Sequence, residues 1–276
     1  MIISKRIVLL IVVLYSLCSI IFPAAAFAQK CLTIGGTGSA LASMKILGQA
    51  FERAHPGLTV KVLPSIGSTG AIKAVSEKTI DIGISSRPLN EEDDSGIFAT
   101  LYARSPLIFV ANKNVPASNI TSEGIIEIYN GEKTVWPHGR RIRTPLRQSN
   151  EIDFQIVKKI SPEISKAIDV AMSRPGMLTV LTDQENADII EKTPGAFGIS
   201  TLAQVIAEKR QLNVLSYNGV RPNMKNLASG KYPLSRFYFV VIQAIMSEPV
   251  RQFLAFMRSA HGKSILEENG QVLMVR

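Results

Sequence analysis

The stretch Cys31-Leu32-Thr33-Ile34-Gly35-Gly36-Thr37-Gly38-Ser39-Ala40 decides how the rest of the chain is read. A short apolar run suited to a buried strand breaks into glycines and hydroxyls and then opens into a helix. Such a loop presents free backbone N–H groups and the positive end of the helix dipole, which together make a seat for an anion.

The chain outward from this stretch repeats the pattern. Residues 40–55 read as a helix, with Leu41, Met44, Leu47 and Phe51 near helical spacing, and His55-Pro56-Gly57 stops it. Leu58 to Leu63 alternates as a strand, Pro64-Ser65-Ile66-Gly67-Ser68-Thr69-Gly70 is a second Gly/Ser loop, and residues 71–78 continue as a helix. Ile80 to Ile84 is a third strand, closing into Ser85-Ser86-Arg87-Pro88. A β-loop-α rhythm implies a parallel sheet with all three loops at the carboxyl ends of its strands, where open α/β sheets bind ligands.

With 276 residues, 46% of them hydrophobic, the chain is long enough for two lobes. The net charge of +9 is spread along the sequence and favours negatively charged partners without naming one. Lys5 and Arg6, an uncharged run from Ile7 and the small-x-small pattern Ala26-Phe27-Ala28 make residues 1–28 a signal peptide cleaved before Gln29, with an uncleaved anchor as the alternative. Cleavage removes Cys18 and lowers the charge to about +7. Cys31 then has no partner, so the fold stands without a disulfide.

Further along, Glu91-Glu92-Asp93-Asp94 reads as a solvated helix start and Pro106 to Ala111 as an apolar strand. Asn112-Lys113-Asn114-Val115-Pro116 suits a crossing between lobes. Thr121 or Ser122 caps a helix that ends at Asn130-Gly131, and Trp136 reads as a packing residue. Arg140, Arg141, Arg143 and Arg147 cluster before Ser149-Asn150-Glu151 opens another helix. Ser161 caps the next, and Thr182 with Glu185 forms a capping box. Phe237 to Ile242 reads as a second crossing strand, and the chain from Glu248 is helical.

Other chemistries find little support. Gly36-x-Gly38-x-x-Leu41 lacks the third glycine of a dinucleotide fingerprint, and no GxxxxGK[ST] run exists. The three histidines sit in turns without metal-ligand spacing, there is no GxSxG elbow, and the basic residues near 140–147 lack the interleaved aromatics of a nucleic-acid surface. The expectation is therefore a non-enzyme with no catalytic residue, cofactor or metal, and no nucleic-acid partner. An oxyanion enclosed by N–H and O–H donors needs only a modest countercharge. Thr37, Ser39, Ser68, Thr69 and Ser86 are suitable donors, and Arg87 and Arg147 suitable forks.

The series Gly36-Thr37-Gly38-Ser39, His55-Pro56-Gly57, Ile66-Gly67-Ser68-Thr69-Gly70-Ala71-Ile72-Lys73 and Asp81-Ile82-Gly83-Ile84-Ser85-Ser86-Arg87-Pro88-Leu89 resembles the periplasmic phosphate-binding proteins of ABC importers. The likeness continues through Ile125 to Gly131, Pro194 to Gly198, Tyr232-Pro233-Leu234 and the C-terminal helices. It implies an α/β, two-lobed type II periplasmic-binding-protein fold, with two crossing strands as hinge and the ligand cleft between lobes. Lobe I takes residues 29–111 and 238–276, and lobe II residues 112–237.

Carried over motif by motif, the ligand residues are Thr37, Gly38 and Ser39 in the first loop, Ser68 and Thr69 in the second, and Ser86 and Arg87 in the third, faced by Arg147 and Ser149. Where the family has Ser-Gly-Thr shortly after its arginine, this chain has Ser149-Asn150-Glu151, and Ser86 stands where some members carry an aspartate. The implied protein is an exported, periplasmic or secreted monomer. It captures a small oxyanion, phosphate first, for an inner-membrane ABC permease. The alternative is a sensor or adaptor without a transport role, for tungstate, molybdate or a phosphonate-like group.

Overall fold

A computed structural model describes residues 30–93 and 96–274, and the expected signal segment lies outside them. The elements run β1 (Lys30–Gly36), α1 (Gly38–Ala54), β2 (Leu58–Val62), α2 (Gly67–Ser76), β3 (Ile82–Ser85), β4 (Ile97–Asn112), β5 (Asn119–Ile120), α3 (Ser122–Asn130) and β6 (Leu146–Arg147). They continue with α4 (Ile152–Lys158), α5 (Pro162–Ser173), β7 (Thr179–Val180), α6 (Asp183–Lys192), β8 (Phe197–Thr201), α7 (Leu202–Ala207), β9 (Leu212–Val214) and β10 (Ser216–Tyr217). The last are α8 (Met224–Ala228), β11 (Ser235–Gln243), α9 (Glu248–Arg258), α10 (Ala260–Glu268) and β12 (Val272–Leu273).

Local chemistry sets most helix ends. Thr121 Oγ1 accepts the Gly124 N–H at the start of α3, and Gly131, at φ 79°, closes it in the left-handed conformation that glycine tolerates. Ser161 caps α5, and the Thr182–Glu185 capping box forms in full at α6. The expected C-terminal helix is two, because Ser259 is extended and its side chain caps α10. α2 begins at Gly67, inside the second Gly/Ser loop, four residues before the expected start. The acidic run is no helix start: residues 91–93 form a turn and bend in which Asp93 pairs with Arg87.

The fold is α/β, around a mixed sheet ordered β12-β4-β11-β3-β1-β2. β1 lies parallel to β2 and β3, so the three loops following these strands gather at one edge, as the β-loop-α rhythm requires. β11 runs antiparallel between β3 and β4.

β4 is the long connector, pairing with β11 over Ile97–Pro106 and with β8 over Leu107–Ala111. Leu107 N–H donates to the Leu234 carbonyl just before β11, so the two strands pass from one half to the other side by side. The crossing falls at Pro106 and Leu234–Ser235, and Asn112–Pro116 is not part of it. That segment turns within the second half, where Asn112 Nδ2 donates to the Ile190 and Glu191 carbonyls and Val115 is buried.

Each half has its own core. Leu32, Ile34, Met44, Leu47, Phe51, Tyr238 and Phe253 fill the first; Phe109, Tyr129, Trp136, Phe154, Ile164 and Phe197 fill the second. Trp136 packs edge-on against Phe197 and donates its Nε1–H to the Gly195 carbonyl at 2.9 Å, the packing role its context suggests. Among the described residues no helix is long and apolar enough to cross a membrane.

Candidate functional site

The turn from β1 into α1 builds the site's floor. Gly36 adopts φ 152° with its Cα facing the Ile84 carbonyl, a fit that leaves no room for a Cβ. Thr37 N–H then donates to that same carbonyl at 2.9 Å, tying the loop to β3. Thr37 precedes α1 without capping it. Its Oγ1 instead accepts from Arg236 Nη2 at 2.6 Å and from Ser86 Oγ at 3.2 Å. Ser39 receives the Tyr238 hydroxyl at 3.2 Å, and Ser68 Oγ accepts the Ser86 N–H at 2.8 Å.

The opposite wall is strongly charged: Arg147, Asp153 and Asp183 come from the second half, and Arg236 stands at the junction. Arg236, at the start of β11, donates Nε to Ser86 Oγ at 2.8 Å and Nη1 to Asp153 Oδ1 at 2.8 Å and Asp183 Oδ1 at 3.2 Å. Arg147, on β6, makes ion pairs with Glu151 at 3.1 Å and with Asp183 at 3.3 Å. Asp183 Oδ2 accepts the Ser39 N–H at 2.8 Å, reaching across to the N-terminus of α1.

Arg147, Asp153, Asp183 and Arg236 are all at least nine-tenths buried. Burial pushes the Asp153 carboxyl up to about 6, against the pull of Arg236 and with help from neighbouring Asp183. Burial acts the same way on Asp183, but Arg236, Arg147 and the Ser39 N–H outweigh it and hold this carboxyl below its ordinary range. Asp183 is therefore the committed anion of the pair.

Of the residues singled out in the sequence, the fold brings Thr37, Gly38, Ser39, Ser68, Ser86 and Arg147 together. Thr69 and Ser149 lie exposed. The Arg87 guanidinium is instead held in a two-pronged pair with Asp93, at 2.6 and 3.0 Å.

Arg236, Asp153, Asp183, Glu151 and Tyr238 enter the site unannounced. Arg236 directly precedes the aromatic run of the crossing strand, and an arginine in phase with Tyr238, Val240 and Ile242 on the strand's buried face is the signal that could have found it. Asp183 follows a capping threonine, where an acid is ordinarily explained by the helix dipole alone.

The arrangement offers an oxyanion several donors at once. Arg147 Nε and Nη1 have no hydrogen-bond partner among the described residues although both are buried, and a buried guanidinium N–H seeks an acceptor. The first turn of α1 carries no acidic residue of its own. No group of three or more His, Cys, Asp or Glu among the described residues is arranged to hold a metal ion.

Known proteins share this architecture. The phosphate-binding protein PstS of Borreliella burgdorferi is 28% identical over 255 residues, covering 88% of this chain and 89% of that protein. A Clostridium perfringens structure described as a phosphate ABC transporter substrate-binding protein with bound phosphate superposes with a TM-score of 0.73. It is 20% identical, and the match covers 89% of this chain and all of that one. An ABC-type phosphate transport receptor from Vibrio cholerae gives a TM-score of 0.60 at 22% identity, again over 89% of this chain and all of that one. The model of the PBP superfamily domain matches residues 23–261, and the chain belongs to that superfamily.

Proposed function

We propose that this protein is an exported solute-binding protein that captures a small oxyanion, inorganic phosphate, and delivers it to an inner-membrane ABC permease. The observation that carries the reading is Arg147: a buried guanidinium whose Nε and Nη1 make no hydrogen bond, joined through Asp183 to the N-terminus of a 17-residue helix. The names of the relatives supply the ligand and the transport role, and the basic n-region and apolar run of residues 1–28 support export. The ligand shell in this reading is Thr37, Gly38, Ser39, Ser68, Ser86 and Arg147, with no catalytic step and no cofactor. The lobes meet at Pro106 and Ser235, so that lobe II runs from about Leu107 to Leu234.

Calorimetric titration of the mature protein with phosphate, sulfate, molybdate, tungstate and methylphosphonate tests it. Phosphate is expected to bind most tightly. Binding of sulfate in preference to phosphate, or of none of the five, overturns the assignment.

A further inference from the structure

The seat at the N-terminus of α1 holds a carboxylate supplied by the other half of the molecule. Asp183 Oδ2 takes the Ser39 N–H at 2.8 Å, while Oδ1 lies 3.2 Å from Arg236 Nη1 and 3.3 Å from Arg147 Nη1. One backbone N–H at a helix terminus and two guanidinium groups converge on a single carboxylate, which is the donor set an oxyanion would take.

We infer that Asp183 is the protein's own stand-in for the anion, and that ligand capture proceeds by exchanging this carboxylate for the incoming oxyanion. The inference rests on the anion-seat reading above and names the residue that regulates it.

Three observations support an exchange. A bound dianion and the Asp183 carboxylate would repel each other and compete for the same Ser39, Arg236 and Arg147 donors. The Arg147 fork is only partly engaged by Asp183. Nη1 forms an ion pair without hydrogen-bond alignment and Nε has no partner, so this carboxylate satisfies the fork less fully than a three-oxygen anion face would.

The approach of α6 to α1 is also built into the sequence. A Cβ at Gly38 would come within 3.0 Å of the Asp183 Cβ and Oδ2, so glycine is what lets the carboxylate in. Beside it, Gln184 Nε2 donates to the Gly38 carbonyl at 2.9 Å, latching the first turn of α6 onto α1. In this arrangement Asp183 bridges the halves and sets a threshold that the anion must exceed, lowering apparent affinity by the fraction of molecules it holds closed.

The test compares wild type, Asp183→Asn and Asp183→Ala by phosphate calorimetry at pH 7.5 and by small-angle scattering of the ligand-free proteins. Asp183→Asn keeps the shape and removes the charge, and is expected to bind phosphate at least tenfold more tightly. Asp183→Ala also removes the acceptor, and its radius of gyration is expected to exceed that of wild type until phosphate is added.

Equal or weaker phosphate binding by both variants, each melting cooperatively, overturns the inference, since a purely structural carboxylate would give that result. Should both Asp183 variants fail to fold, Gln184→Ala loosens the latch without altering charge at the seat. It is expected to raise affinity threefold or more, and an unchanged affinity is decisive against the exchange. If no protein in the series binds phosphate, the phosphate assignment falls. Scattering alone then decides: a more open Asp183→Ala upholds the stand-in role, and an unchanged one refutes it.

Discussion

Arg236 and Asp153 form an ion pair across the junction of the two halves, Nη1 to Oδ1 at 2.8 Å, with side-chain exposures of 3% and 8%. Arg236 belongs to the strand that enters the first half, and Asp153 to the helix that follows the arginine-rich segment of the second. The same guanidinium also holds Thr37 and Ser86, so one side chain ties the anion loop, the third loop and the opposing wall together.

Arg236→Met is expected to cost about 3–5 kcal/mol of folding stability, because it leaves Asp153 and Asp183 buried beside each other with one countercharge removed. Urea denaturation measures this. Adding Asp153→Leu to Arg236→Met is expected to recover at least about 1 kcal/mol, since the second change removes a stranded charge. A double variant less stable than the single one contradicts this account.

Arg147→Ala is expected to weaken phosphate binding at least about 100-fold, the loss of two charge-assisted hydrogen bonds at roughly 1.5–3 kcal/mol each, offset in part by water. Arg87→Ala is expected to change it less than about threefold, because Asp93 already holds that guanidinium. Calorimetry with both proteins distinguishes the forks. Comparable losses would show that Arg87 leaves Asp93 for the ligand.

Asp153 and Asp183 give opposite pH dependences. With its carboxyl raised to about 6, Asp153 favours the folded state while protonated; that contribution is complete below its ordinary value near 3.8 and is lost as pH rises through 6. Its size is about 3 kcal/mol, since the folded state binds the proton about a hundredfold more tightly. Asp183, held low, contributes above 3.8 and loses its contribution only as pH falls further. Stability curves of wild type minus Asp153→Asn should therefore decline between pH 4 and 6. A flat or rising difference across that window contradicts the assignment of the raised carboxyl to Asp153.

Gly36→Ala is expected to abolish stable folding or lower the melting temperature by more than about 10 °C. The added Cβ would meet the Ile84 carbonyl, a backbone atom fixed in the sheet, and L side chains rarely adopt this φ. Gly57→Ala is the control: its Cβ would meet nothing within 4 Å, so only its φ of 93° opposes it. Thermal melts should show a clearly smaller loss there. Similar losses would mean that the Ile84 contact does not matter.

Periodicity and punctuation carried much of the fold. Alternation in Leu58–Val62, helical spacing from Leu41 to Phe51 and the caps at Thr121, Ser161 and Thr182 are local properties, satisfied within a few residues of themselves, and all appear in the structure. The long reach of β4 was less visible. Its first part alternates exposed and buried residues and its second is buried throughout, so one strand carries two patterns, and only the continuation looked like a strand. Thr37, Gly38, Ser39, Ser68 and Ser86 were legible because parallel β-loop-α units bring such loops to one edge whatever else the chain does.

Sequence alone determined that donors would collect beside the N-terminus of α1, for Gly36-Thr37-Gly38-Ser39 follows a strand and starts a helix within ten residues. Tertiary structure alone decided what faces them. Ser39 and Asp183 are 144 positions apart, Thr37 and Arg236 199 apart, and no local pattern links residues at that separation. Whether Arg87 or Arg236 would stand in the site depended on which arginine found an acid outside it. Arg87 met Asp93 six residues away, while Arg236 was carried by β11 into the junction, where burial made Asp153 and Asp183 its necessary partners.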